Sequence, residues 1–125
     1  MYHQKSTIGI IEDDTELRET LGHLLSYYGY KAELFASATE FLRVADVEKF
    51  PCLLVDISLD TISGLELGRR LAEAGCTVPI IFMTGIGDPD LHEAARKLGC
   101  VALLQKPFFP NELLDALANA AKLRS

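Results

Sequence analysis

The feature that most constrains this chain is a set of four short, continuously apolar runs, each of which stops at a polar residue. Ile8-Gly9-Ile10-Ile11 ends in Glu12-Asp13-Asp14, and Cys52-Leu53-Leu54-Val55 ends in Asp56. Val78-Pro79-Ile80-Ile81-Phe82-Met83 ends in Thr84-Gly85, and Val101-Ala102-Leu103-Leu104-Gln105 ends in Lys106-Pro107. Runs of this length and apolarity have the character of parallel strands buried on both faces. Helical patterns separate them, so strand and helix alternate five times. That alternation predicts a parallel sheet with right-handed crossovers and helices on both faces, a three-layer α/β domain. In a doubly wound sheet, ligands bind outside the carboxyl ends of the strands. Acids, a hydroxyl and a lysine therefore converge at one site.

Between the runs, leucines and glycines mark the helices. Leu17, Leu21, Leu24 and Leu25 recur at helical spacing, with Asp14 or Thr15 as cap and Gly29 as terminator. Tyr30 to Phe35 alternates enough to be a strand nearer the sheet edge. Ser37 caps a second helix carrying Ala38, Phe41, Leu42 and Ala45. A third helix runs from about Gly64 to Glu73 and stops at Gly75. Asp88-Pro89 is a cap and first-turn pair for a fourth, with Leu91, Ala94, Ala95 and Leu98 buried and Gly99 at its end. Pro110 starts the last helix, whose stripe is Leu113, Leu114, Leu117 and Ala121.

At 125 residues the chain is expected to be one domain spanning 1-125, with no output domain. A net charge of -6 argues against nucleic-acid binding by this chain and against an anionic membrane surface. No apolar run reaches transmembrane length and the first residues lack a signal-peptide core, so a cytoplasmic protein is expected. Cys52, Cys76 and Cys100 are odd in number and lack metal-ligand spacing, which reads as reduced, core or near-core thiols.

Singly, an acid at a strand end is a loop start or a cap, a threonine there a satisfied hydroxyl, and a lysine a solvated charge. Jointly they say more. Three carboxylates from Glu12, Asp13 and Asp56 would repel one another without a cation. An oxygen-only ligand set suits Mg²⁺, which keeps several waters and shares its shell with phosphate oxygens. A carboxylate, Mg²⁺ and a lysine are the equipment for phosphoryl transfer onto an acid. Thr84 can donate to a phosphoryl oxygen.

These residues resemble the response-regulator receiver domain of two-component signalling over nearly the whole chain, about Ser6 to Ala121. The motifs are Ile11-Glu12-Asp13-Asp14, Leu54-Val55-Asp56 with Gly64 eight residues on, Met83-Thr84-Gly85 and Lys106-Pro107-Phe108. The segment from Phe35 to Leu42 further resembles receivers of the nitrogen-fixation regulator type. The resemblance implies a flavodoxin-like fold of five parallel strands in the order 2-1-3-4-5. It implies Asp56 as phosphoacceptor, with Asp13, Asp56 and the Ser58 carbonyl as Mg²⁺ ligands and Glu12 acting through a metal-bound water. Thr84 is then the switch hydroxyl, Lys106 the phosphate-pairing lysine, and Lys106-Pro107 a cis peptide. The donor is a sensor histidine kinase or phosphotransfer protein, and the output is a downstream protein contact or a relay. Enzymatic activity is limited to slow self-dephosphorylation.

The chain departs from the family at two places. Leu103 stands where the family usually has tyrosine or phenylalanine, so the usual aromatic coupling cannot operate unchanged. Leu59-Asp60 replaces the common Met-Pro, loosening the loop after Asp56. Ile86, two residues beyond Thr84, should hinder attacking water and slow phosphate loss. A haloacid-dehalogenase-type hydrolase would want an acid at Ser58. A degenerate binding module, or the receiver part of a longer transcriptional regulator, are the other readings. Ala116, Ala118, Ala120 and Ala121 offer a smooth surface for a homodimer, or simply good helix propensity. Tyr27, Tyr28 and Tyr30 either form a partner surface or close the core edge. His3, His23 and His92 are assigned no role.

Overall fold

Each apolar run becomes a strand because successive residues point into opposite helix layers and both layers are apolar. The computed structural model describes residues 7–124 apart from 45, 86 and 88. Its elements are β1 (Thr7–Ile11), α1 (Thr15–Tyr27), β2 (Lys31–Phe35), α2 (Ala38–Leu42), β3 (Leu53–Asp56), α3 (Gly64–Glu73), β4 (Ile80–Thr84), α4 (Pro89–Lys97), β5 (Ala102–Gln105) and α5 (Pro110–Arg124). The strands form one parallel sheet in the order β2-β1-β3-β4-β5. This is the doubly wound arrangement expected.

Two cores flank the sheet. On one face Val55, Leu53 and Phe82 meet Phe41 of α2, Leu67 and Leu71 of α3 and Ala95 of α4. On the other Leu54, Ile81 and Met83 meet Leu21 and Leu25 of α1 and Leu113 and Leu117 of α5. Phe41, Phe50 and Phe82 are fully buried, each stabilising the fold by about 2–3 kcal/mol. Gly9 is needed where the layers are tightest, since a Cβ there would lie 2.8 Å from Leu53 Cδ2.

Helix ends follow local chemistry. Asp14 accepts from Leu17 N–H at 3.1 Å, Ser37 from Glu40 N–H at 3.0 Å, and Ser63 from Glu66 N–H at 3.0 Å. Gly29, Gly75 and Gly99 all take positive φ just after their helices. They supply the left-handed residue that lets the chain turn back to the sheet.

Some expectations need correction. The second helix is only five residues long and is followed by a 3₁₀ turn at Val47–Lys49 that the sequence pattern did not announce. Its Leu42 is 36% exposed, and Ala45 lies outside the described residues. In α5 the buried stripe uses Ala116 and Ala120, while Ala121 is exposed. The helix is rotated so that its smallest residues meet the sheet. The four alanines therefore form no continuous outer surface, and Ala118 and Ala121 alone remain outside. Tyr27, at 82% exposed, does not close the core edge; it stacks edge-on against Tyr28, while Tyr30 packs on the α1/α5 core. The Asp88 cap lies outside the described residues.

Candidate functional site

The carboxyl ends of β1, β3, β4 and β5 bring the polar residues together, as the strand order requires. Asp56 is the last residue of β3 and only 4% exposed. Glu12, immediately after β1, is 1% exposed, and Thr84 at the end of β4 is equally buried. The register holds these ends level, with Asp56 beside Met83 and Thr84 beside Gln105. Lys106 follows β5 directly, and its N–H donates to the Thr84 carbonyl at 2.7 Å. The peptide bond to Pro107 is cis, as the resemblance implies.

Lys106 Nζ sits 3.0 Å from Glu12 Oε1 and 3.0 Å from Asp56 Oδ2, so one ammonium bridges two buried carboxylates. The remaining oxygens are held from the backbone. Ser58 N–H donates to Asp56 Oδ1 at 3.0 Å, and Asp14 N–H donates to Glu12 Oε2 at 3.2 Å. Burial pushes the Glu12 carboxyl up to about 7, against the pull of Lys106 and the Asp14 N–H, and nearby Asp56 adds to the rise. Burial acts to lower the Lys106 ammonium, but its hydrogen bonds to Glu12 and Asp56 outweigh this and hold it above its ordinary value.

Glu12, Asp13 and Asp56 each offer a carboxylate oxygen within 4.8 Å of the others. Asp13 is partly open to solvent. Three convergent oxygens with one open side fit a small hard cation that retains water. The expected residues divide accordingly. Lys106 joins Glu12 and Asp56 directly, Asp13 lies beside the two acids, and Thr84 lies on the adjoining strand end. Ser58 contributes its amide to Asp56, its side chain facing solvent. Asp60 is exposed, and its charge is screened. Ile86 lies outside the described residues.

Three features of the site escaped the sequence reading. Arg18, one turn into α1, donates to the Glu12 carbonyl at 2.8 Å and anchors the acidic loop to the helix. A helical arginine six residues after an acid carries no distinctive signal. Gly64 was visible as a motif position but its purpose was not. A Cβ there would lie 2.1 Å from the Asp56 carbonyl oxygen, so only glycine lets α3 start against the β3 end. An apolar groove of about 630 Å³ also opens beside Lys106, lined by Leu17, Thr20, Leu24, Pro107 and Phe108.

A buried acid at a central strand end, an acidic cluster fit for a cation and a bridging lysine define a doubly wound α/β domain with its polar site at the carboxyl ends of the strands. Comparison with known proteins gives the family. Residues 8–118 match the model of the response regulator receiver domain. The chain belongs to that family, the receiver domains of two-component signalling. It is 38% identical to the response regulator protein TmoT of Ectopseudomonas mendocina, over 98% of this chain and 56% of the relative. It is 35% identical to the transcriptional regulatory protein FixJ of Bradyrhizobium diazoefficiens, over 94% of this chain and 58% of the relative. The chain thus spans a little over half the length of these relatives. Among solved structures, FixJ-N superposes with a TM-score of 0.88 at 31% identity, covering 96% of each chain. A receiver domain protein from Clostridium thermocellum gives 0.89 at 26% identity, over 95% of this chain and 96% of that one. No described helix is long and apolar enough to cross a membrane.

Proposed function

We propose that Asp56 accepts a phosphoryl group from a phosphohistidine on a sensor kinase or phosphotransfer protein. An Asp56 carboxylate oxygen attacks phosphorus as the phosphorus–nitrogen bond breaks, leaving an aspartyl phosphate and a free imidazole. The observation that carries this reading is the Lys106 bridge, which holds an ammonium 3.0 Å from the Asp56 carboxylate. As the phosphoryl group arrives, Lys106 exchanges its carboxylate contacts for a phosphoryl oxygen and neutralises charge there. Thr84 donates its hydroxyl to a second oxygen. The Ser58 N–H, already on Asp56 Oδ1, orients the nucleophile. Asp13, Asp56 and the Ser58 carbonyl would hold Mg²⁺, with Glu12 assisting through water, and the ion would supply further positive charge for the transfer. The groove beside Lys106 lies along α1, within reach of a donor that approaches Asp56.

The described residues act as one receiver domain. A second reading, the receiver part of a longer transcriptional regulator, is favoured by the relatives' length, since the chain covers 58% of FixJ. The readout is proposed to be altered in either case. Leu103 is half-buried in β5 against the α2–α4 core, where it cannot swing as an aromatic ring does. Incubation with acetyl phosphate and Mg²⁺ tests the reaction. Wild type should take up one phosphoryl group and Asp56→Asn none. Absence of label on wild type would favour a phosphorylation-independent binding module.

A further inference from the structure

The corners that follow α3 and α4 repeat one another. Each helix ends at a glycine in the left-handed region, Gly75 at φ 78° and Gly99 at φ 76°, and each glycine is followed by a cysteine. β4 and β5 are neighbours, with Val101 N–H donating to the Ile80 carbonyl at 2.8 Å. The two corners therefore lie side by side at the amino-terminal ends of the strands, the pole opposite Asp56. Cys76 and Cys100 are both reduced, both half-buried and both packed on the same core. They line one narrow cavity of about 60 Å³, closed by Gly68, Phe82 and Leu98. Gly68 keeps that wall thin, since a Cβ there would lie 3.0 Å from Phe82. The odd cysteine count and the long sequence separation hide the pairing.

We propose that Cys76 and Cys100 form a two-thiol site for a soft, sulfur-seeking centre, with trivalent arsenic as the ligand class. Two sulfurs with no carboxylate or imidazole among the lining residues are a poor set for Zn²⁺, which takes four ligands, and for hard cations, which take oxygen. Burial pushes the Cys100 thiol up, against its own backbone hydrogen bond and the charge of Arg96, so the ligand must remove a proton as it binds. An arsenic(III) oxide does this without redox change. Two As–S bonds form, the arsenic–oxygen bonding is lost, and both thiol protons leave with that oxygen as one water. Cys52 provides an internal control, being 1% exposed with its thiol pushed up to about 12 by burial.

The test is titration of the full chain with phenylarsine oxide, read by native mass and by iodoacetamide labelling. The expected result is one arsenical per chain, formed with loss of one water and protecting Cys76 and Cys100 together. It should withstand excess monothiol and be released by a 1,2-dithiol. Cys76→Ser and Cys100→Ser should each lose the adduct to monothiol at least about tenfold more readily, because the second bond is intramolecular only in wild type. Cys52→Ser should bind as wild type does. Either serine variant holding the adduct as firmly as wild type would overturn the proposal. So would protection of only one of the two cysteines in the unmutated chain, a readout independent of how the variants fold.

Discussion

Replacing Lys106 by methionine keeps the apolar stem and removes the ammonium, leaving Glu12 and Asp56 buried together without their bridge. Two unit charges about 4 Å apart are worth about 4 kcal/mol at an effective dielectric of about 20, most of which desolvation offsets. Breaking a buried pair nevertheless costs about 3–5 kcal/mol, because the orphaned charge stays behind. The Lys106 side chain is 23% exposed, so water can reach the gap and the low end applies. The expected loss is about 3 kcal/mol near pH 8 without metal. The loss should depend on pH in a set direction. Burial already raises Glu12 from 4.5 to about 7, and without Lys106 it moves higher. Between the unfolded and folded values the folded state binds more protons, so stability falls as pH rises through that window. The deficit of Lys106→Met should therefore shrink as pH falls from about 8 to about 5. It should also shrink near pH 8 when Mg²⁺ is added, because the ion replaces the missing charge. Urea unfolding at both pH values, with and without Mg²⁺, measures this. A deficit equal at both and indifferent to Mg²⁺ would mean that Lys106 acts through packing, and the charge argument fails.

Gly64→Ala should destabilise by about 3 kcal/mol or more and slow acetyl phosphate labelling, because backbone at Asp56 must move to admit the Cβ; an unchanged thermal melt would refute the close approach. Wild type should show narrower phosphorylation-dependent chemical-shift changes in α4, β5 and α5 than Leu103→Tyr, which restores an aromatic ring. Broad changes in wild type itself would remove the reason for assigning Leu103 a role. Iodoacetamide near neutral pH should label Cys76 and Cys100 and spare Cys52 until urea unfolds the chain. Equal native labelling of Cys52 would contradict its burial at 1% exposure.

The layout of elements was legible because parallel strands and helix ends are written locally. Each apolar run became a strand, and Gly29, Gly75 and Gly99 each took the positive φ that a helix end facing the sheet requires. The bounds of α3 agree with the reading from Gly64 to Glu73. Where the reading slipped, packing had decided. Ala116 and Ala120, not Ala121, face the core because the rotation of α5 is set by how closely it can approach the sheet. Propensity says nothing about that distance. The early stop of α2 after Leu42 likewise follows no local terminator.

The sequence by itself determined which residues end the strands and, through the family motifs, marked Glu12, Asp13, Asp56, Thr84 and Lys106 as one candidate site. Only the tertiary structure decided how they are joined. Lys106 reaches Glu12 and Asp56 at 3.0 Å because β5 and β1 lie on either side of β3 and β4 with their ends level. It also decided that Gly64 serves to clear the Asp56 carbonyl and that Cys76 and Cys100 share a cavity. Those facts are distances between residues far apart in the chain. Such distances are set by sheet order and layer spacing, which no local pattern encodes.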